Sequence, residues 1–76
     1  MRKAGENETP QDRFKRLATI RTNEVLKRLK ILGNCANRQA YDYTEKDIEA
    51  IFSTIERRVK ETKSKFHFPK EDKFKL

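Results

Sequence analysis

Apolar side chains recur along two stretches of the chain at the spacing of a helix. Phe14, Ala18, Val25, Leu29 and Leu32 follow one another at intervals of three, four or seven residues, flanked by Leu17, Thr22 and Leu26, so one helical face is apolar along the whole run. Thr9, Pro10 and Asp12 precede it. The Thr9 hydroxyl can cap, Pro10 takes the first helical position where its missing N–H costs nothing, and Asp12 sets a carboxylate at the positive helix end. Gly33 and Asn34 stop the run, because a glycine after the last turn takes the left-handed conformation without steric penalty. The pattern predicts helix 1 over residues 10–32. Ile20 and Ile31 fall off the main stripe, on the flank shared with Leu17, and mark a second packing surface.

Ile48, Ile51, Phe52, Ile55, Val59, Thr62 and Phe66 fall within a sector about 100° wide at the helical turn angle, the narrow stripe of a bundle helix. Thr44 opens this second run with Asp47 three residues on, a variant of the capping box. Tyr43 and Ile48 flank the cap at the positions of a hydrophobic staple. Helix 2 is predicted over residues 45–65, ending between Ser64 and Phe66, before Pro69 pushes Phe68 toward extended backbone. Residues 1–9 are polar with no apolar period and are expected to form a disordered arm. Residues 67–76 form a charged, aromatic tail that could fold back onto a helical face.

The expected fold is therefore all-α. It is an antiparallel helical hairpin over residues 10–66, joined by a loop at 33–43. Two helices bury only one side of each stripe, and below about 80 residues a single core is marginal without disulfides, metal or oligomerisation. Cys35 is the only cysteine, so no internal disulfide forms, and it is read as a small packing or loop residue. A homodimer packing two hairpins into a four-helix bundle is expected, with Leu17, Ile20 and Ile31 completing the interface. The alternative is a monomer whose tail covers the open seam.

Nineteen Lys and Arg against 12 Asp and Glu give a net charge of +7 on 76 residues, which suits an anionic partner. A charged content of 41% is also a mark of disorder, against which the two apolar stripes argue through the middle of the chain. Helix 2 is acidic at its start and basic at its end, as the helix dipole favours. Helix 1 is not so ordered: Arg13, Lys15, Arg16, Arg21, Lys27, Arg28 and Lys30 face the single acid Glu24.

Antiparallel pairing of the helices gathers Arg13, Lys15 and Arg16 beside Arg57, Arg58, Lys60, Lys63 and Lys65, with only Glu61 to offset them. Either salt screens this cluster as a solvated face, or an anion satisfies it. RNA or DNA would be held mainly through phosphate, with salt-dependent, weakly sequence-specific affinity. Phe66, His67 and Phe68 adjoin the cluster and could stack on unpaired bases, or else Phe66 closes the core and Phe68 anchors the tail. The loop holds a second candidate surface, for a protein partner, in Asn37, Arg38, Tyr41 and Tyr43, since Tyr and Arg are favoured at interface hot spots. Its alternative is a structured turn shaped by Asn side chains.

Other classes fall away. No apolar run approaches the roughly 18 to 20 residues that cross a bilayer, so no membrane association is expected. Met1-Arg2-Lys3 leads into Ala4-Gly5-Glu6-Asn7-Glu8 rather than an apolar signal core, and a cytoplasmic setting is expected. One His and one Cys supply no metal or cofactor set, the acids near Asp47 are explained by capping, and no catalytic residues are assigned.

The stretch Gly33-Asn34-Cys35-Ala36-Asn37-Arg38, then Tyr41-Asp42-Tyr43-Thr44-Glu45-Lys46-Asp47, Ile51-Phe52 and Glu61-Thr62-Lys63-Ser64-Lys65-Phe66 resembles a group of short uncharacterised bacterial and mobile-element proteins. The likeness covers residues 13–66 and implies a bacterial or phage origin, but no activity. In architecture alone the chain is similar to the plasmid copy-number proteins that bind paired RNA loops as dimers of helical hairpins, an analogy that transfers no residues. The functional expectation is a small basic homodimer that binds nucleic acid. Behind it stand a protein-binding adaptor or inhibitor using the loop and the apolar flank, and a structural subunit of a larger complex.

Overall fold

The computed structural model describes residues 7–68 and Leu76, and among these all regular structure is helical. Helix α1 spans Pro10–Gly33, a 3-10 turn follows at Asn34–Ala36, and helix α2 spans Glu45–Lys63. The chain divides between Asp42 and Tyr43 into two units. No described helix is long and apolar enough to cross a membrane.

In the first unit, Thr9 is extended and its hydroxyl accepts from the Asp12 N–H at 3.0 Å. Asp12 does more than meet the dipole. Its carboxylate accepts in return from the Thr9 N–H at 3.4 Å, so this start is a reciprocal capping box with Pro10 just inside it.

The end of α1 departs from expectation. Gly33 is right-handed, at φ −59° and ψ −24°, and is the last residue of the helix rather than a left-handed stop. The chain tightens instead into the 3-10 turn, where the Asn34 N–H donates to the carbonyls of Ile31 and Leu32, a common way of satisfying terminal carbonyls. Asn37 breaks the run, at ψ 103°. Its side-chain oxygen accepts from the Gln39 N–H at 3.1 Å, and its carbonyl accepts from the N–H groups of Ala40 at 3.2 Å and Tyr41 at 2.9 Å. An Asn side chain that takes backbone donors competes with continuation of the helix. The connection predicted at 33–43 therefore starts as helix and becomes irregular only at Asn37.

The second unit opens on Thr44, whose hydroxyl accepts from the Asp47 N–H at 3.1 Å while the Asp47 carboxylate accepts from the Thr44 N–H at 3.0 Å. Tyr43 and Ile48, at the staple positions, are both half-buried. Helix α2 ends at Lys63, two residues before the predicted boundary at 65. The Ser64 hydroxyl donates to the Glu61 carbonyl at 2.6 Å, and tight turns from Lys65 N–H to Thr62 and from Phe66 N–H to Lys63 close the end. Phe66 thus lies just past the helix. The rest of the tail, residues 69–75, and the start of the arm, residues 1–6, lie outside the described residues.

None of the described residues is buried. On α1, Leu29 is 40% exposed and Phe14 57%; on α2, Ile51 is 39% exposed and Phe52 43%. Both helices carry the stripes that the spacing predicted, and each stripe is open within its own unit.

Candidate nucleic-acid interface

Of the eight cations singled out from the sequence, Arg13, Lys15 and Arg16 lie on the first two turns of α1. Arg13 and Arg16 are one turn apart and converge on Glu8. Arg16 donates through Nε to Glu8 Oε1 at 2.7 Å and through Nη2 to Oε2 at 3.1 Å, a two-pronged grip that guanidinium makes and ammonium cannot. Arg13 Nε stands 3.7 Å from the same Oε2. Lys15 lies a helical step of about 100° away and takes no part.

Glu8 is followed by the extended Thr9 cap, at φ −76° and ψ 160°, and preceded by Asn7, the one described non-glycine residue with positive φ, at 61°. Asn tolerates this left-handed geometry better than most side chains. The Glu8 side chain is only 10% exposed. The hydrogen bond from Arg16, helped by the charges of Arg16 and Arg13, holds the Glu8 carboxyl below its usual range although desolvation pushes the other way. The same bond raises the Arg16 guanidinium. Residues 7–9, which the sequence assigns to the N-terminal arm, lead into α1 through the Thr9 cap. The only sequence signal was an acid just ahead of a cap, with two arginines in the turns where the helix dipole disfavours cations.

In the second unit, Arg57, Lys60 and Lys63 follow at three-residue spacing on the last two turns of α2, away from the centre of the apolar stripe. Arg58 falls at the stripe's margin and makes a loose pair with Glu61 at 4.0 Å, of the exposed kind that contributes about 0–1 kcal/mol. Lys65 lies in the turn beyond. Of the eight, Lys15, Arg57, Lys60, Lys63 and Lys65 are exposed and have no ion-pair partner among the described residues; the same holds of Arg21, Lys27, Arg28, Lys30 and Lys46. Phe66 is 64% and Phe68 92% exposed.

The loop residues divide. Asn37 builds the turn through its side chain and carbonyl. Arg38 is exposed and Tyr41 is 53% exposed in the first unit, while Tyr43 is half-buried ahead of the α2 cap. Cys35 is an exposed thiol in the 3-10 turn. No group of three or more His, Cys, Asp or Glu among the described residues is placed to hold a metal ion. A shallow depression on α1, lined by Phe14, Lys15, Ala18, Thr19, Thr22 and Asn23, overlies the stripe itself. No protein-family model, curated protein or solved structure matches this chain.

Proposed function

We propose that the chain is a small non-enzymatic protein that binds RNA or DNA through its helix-borne cations, acting as a homodimer. Five of the eight candidate cations, exposed and without an ion-pair partner among the described residues, on a chain of net charge +7, carry this reading. Folding alone gains nothing from like charges held on adjacent turns, whereas a phosphate backbone satisfies them with release of counterions. In the proposed assembly each chain is an antiparallel hairpin of α1 and α2, and two hairpins close a four-helix bundle. The open stripes support it, because a helix with an apolar face needs something to bury that face against. The hairpin would pool Arg13, Lys15 and Arg16 with Arg57, Arg58, Lys60, Lys63 and Lys65 at its open end.

The test is Arg57→Glu combined with Lys60→Glu, two residues of the solvent face of α2. Binding to a mixed RNA and DNA pool at low salt should fall at least tenfold for the loss of two phosphate contacts. Binding that survives unchanged ends the nucleic-acid reading. A second reading rests on Tyr41, half exposed and three residues after Arg38 in the turn that Asn37 organises: a protein-binding adaptor or inhibitor that docks there. It calls for salt-insensitive association with a single protein, abolished by Tyr41→Ala.

A further inference from the structure

Two arginines on successive turns of α1 close on one carboxylate from outside the helix, and the carboxylate is the more covered partner. Glu8 is 10% exposed, against 57% for Arg13 and 42% for Arg16. The guanidinium groups therefore keep an open side toward solvent while their facing sides meet Glu8. A carboxylate and a phosphodiester each present two equivalent oxygens to a guanidinium fork. What fits one fits the other.

We infer that Arg13 and Arg16 form a phosphodiester site whose occupant in the free protein is the chain's own Glu8 carboxylate, so that the N-terminal arm competes with a nucleic-acid backbone for the same fork. The inference rests on the nucleic-acid reading and assigns that reading a site and a regulator. Three features carry it. The fork is two-pronged and charge-assisted, at 2.7 and 3.1 Å, and a second arginine stands within 3.7 Å of the same oxygen. Both cations are permanent, since guanidinium does not deprotonate in proteins, so the vacated fork remains an anion site.

Lys27 lies on the same side of α1 as Arg16, about 16 Å further along by the helical rise, and would extend the path of a bound strand.

The full chain, its Glu8→Gln variant and a Glu49→Gln control are titrated against a fluorescent single-stranded RNA of about 20 mixed nucleotides, at about 50 and 200 mM salt. Glu49→Gln makes the same charge change away from the fork. Opening the latch should tighten binding about three- to tenfold and steepen the salt dependence by roughly the 0.7 log unit of one added single-strand contact, with helix content by circular dichroism unchanged. The control should stay within about twofold, the size of a general charge effect. Equal binding by wild type and Glu8→Gln overturns the inference and leaves the nucleic-acid reading standing. An equal gain in Glu49→Gln assigns the effect to net charge and likewise overturns it. Absence of binding by every form overturns both.

Discussion

Gly33 has right-handed helical angles, and a Cβ built on it meets nothing within 4 Å. Nothing in its surroundings requires glycine there, and the unfolded chain keeps the extra freedom that glycine confers. Gly33→Ala should therefore stabilise the protein by about 0.4–1 kcal/mol, read as a higher urea midpoint at fixed protomer concentration; a lower midpoint would mean that the residue works in left-handed geometry. Glu8 gives a second residue-level expectation. Its carboxyl is held down in the folded protein by Arg16 and Arg13, so its contribution is present at neutral pH and is lost as pH falls through that lowered value, beneath the ordinary carboxylate range. The Glu8 carboxyl carbon followed by NMR should titrate below the ordinary value of a glutamate, and Arg16→Gln should return it toward that value. The caps at Thr9 and Thr44 were legible in the sequence because hydroxyl and acid lie three residues apart and settle the matter locally. The Glu8 latch was not, because Glu8 and Arg16 lie eight residues apart on either side of the cap, a spacing that no capping or helical pattern marks.

At the scale of the element, starts and ends differ in kind. Both helices begin on a capping box with a Thr–Asp pair, and both begin where the sequence pattern places them. The ends moved, outward in α1 and inward in α2, because each is a contest among several weak options: the right-handed Gly33, the Asn37 side chain that takes a backbone donor, and the Ser64 hydroxyl on the Glu61 carbonyl. No single residue there outweighs the others. The start of α2 is the stronger device, since Thr44 and Asp47 bond reciprocally at 3.1 and 3.0 Å and Tyr43 and Ile48 stand at the staple positions. Thr44→Ala should cost about 1 kcal/mol, with Thr44→Ser near wild type. Amide exchange in the first turn of α2 should speed up in the alanine variant alone; a Thr44→Ala protein with unchanged exchange would show that the staple rather than the hydroxyl holds this end. The same helix carries Glu45 and Asp47 in its first turn and Lys60 and Lys63 in its last, which complements its dipole and makes it an electrically polar rod.

For the whole molecule the deciding fact is that no described residue is buried although each helix bears a continuous apolar stripe. Isolated helices much shorter than about 15 residues are marginal in water, and helices in proteins draw most of their stability from packing an apolar face. Helices of 24 and 19 residues with open stripes are therefore expected to persist only where those stripes are covered. If two copies cover the stripes, helix content and melting temperature must depend on protomer concentration. Sedimentation should give a species of twice the chain mass at micromolar concentration. Phe52→Asp, at the middle of the α2 stripe, should shift that species to single chains and lower the helical signal together, whereas Arg57→Glu with Lys60→Glu, on the solvent face, should leave the mass unchanged. A single-chain mass in the wild type, with helix content independent of dilution, would instead require the tail to cover the stripe, and removing residues 69–76 would then lower helicity without changing the mass.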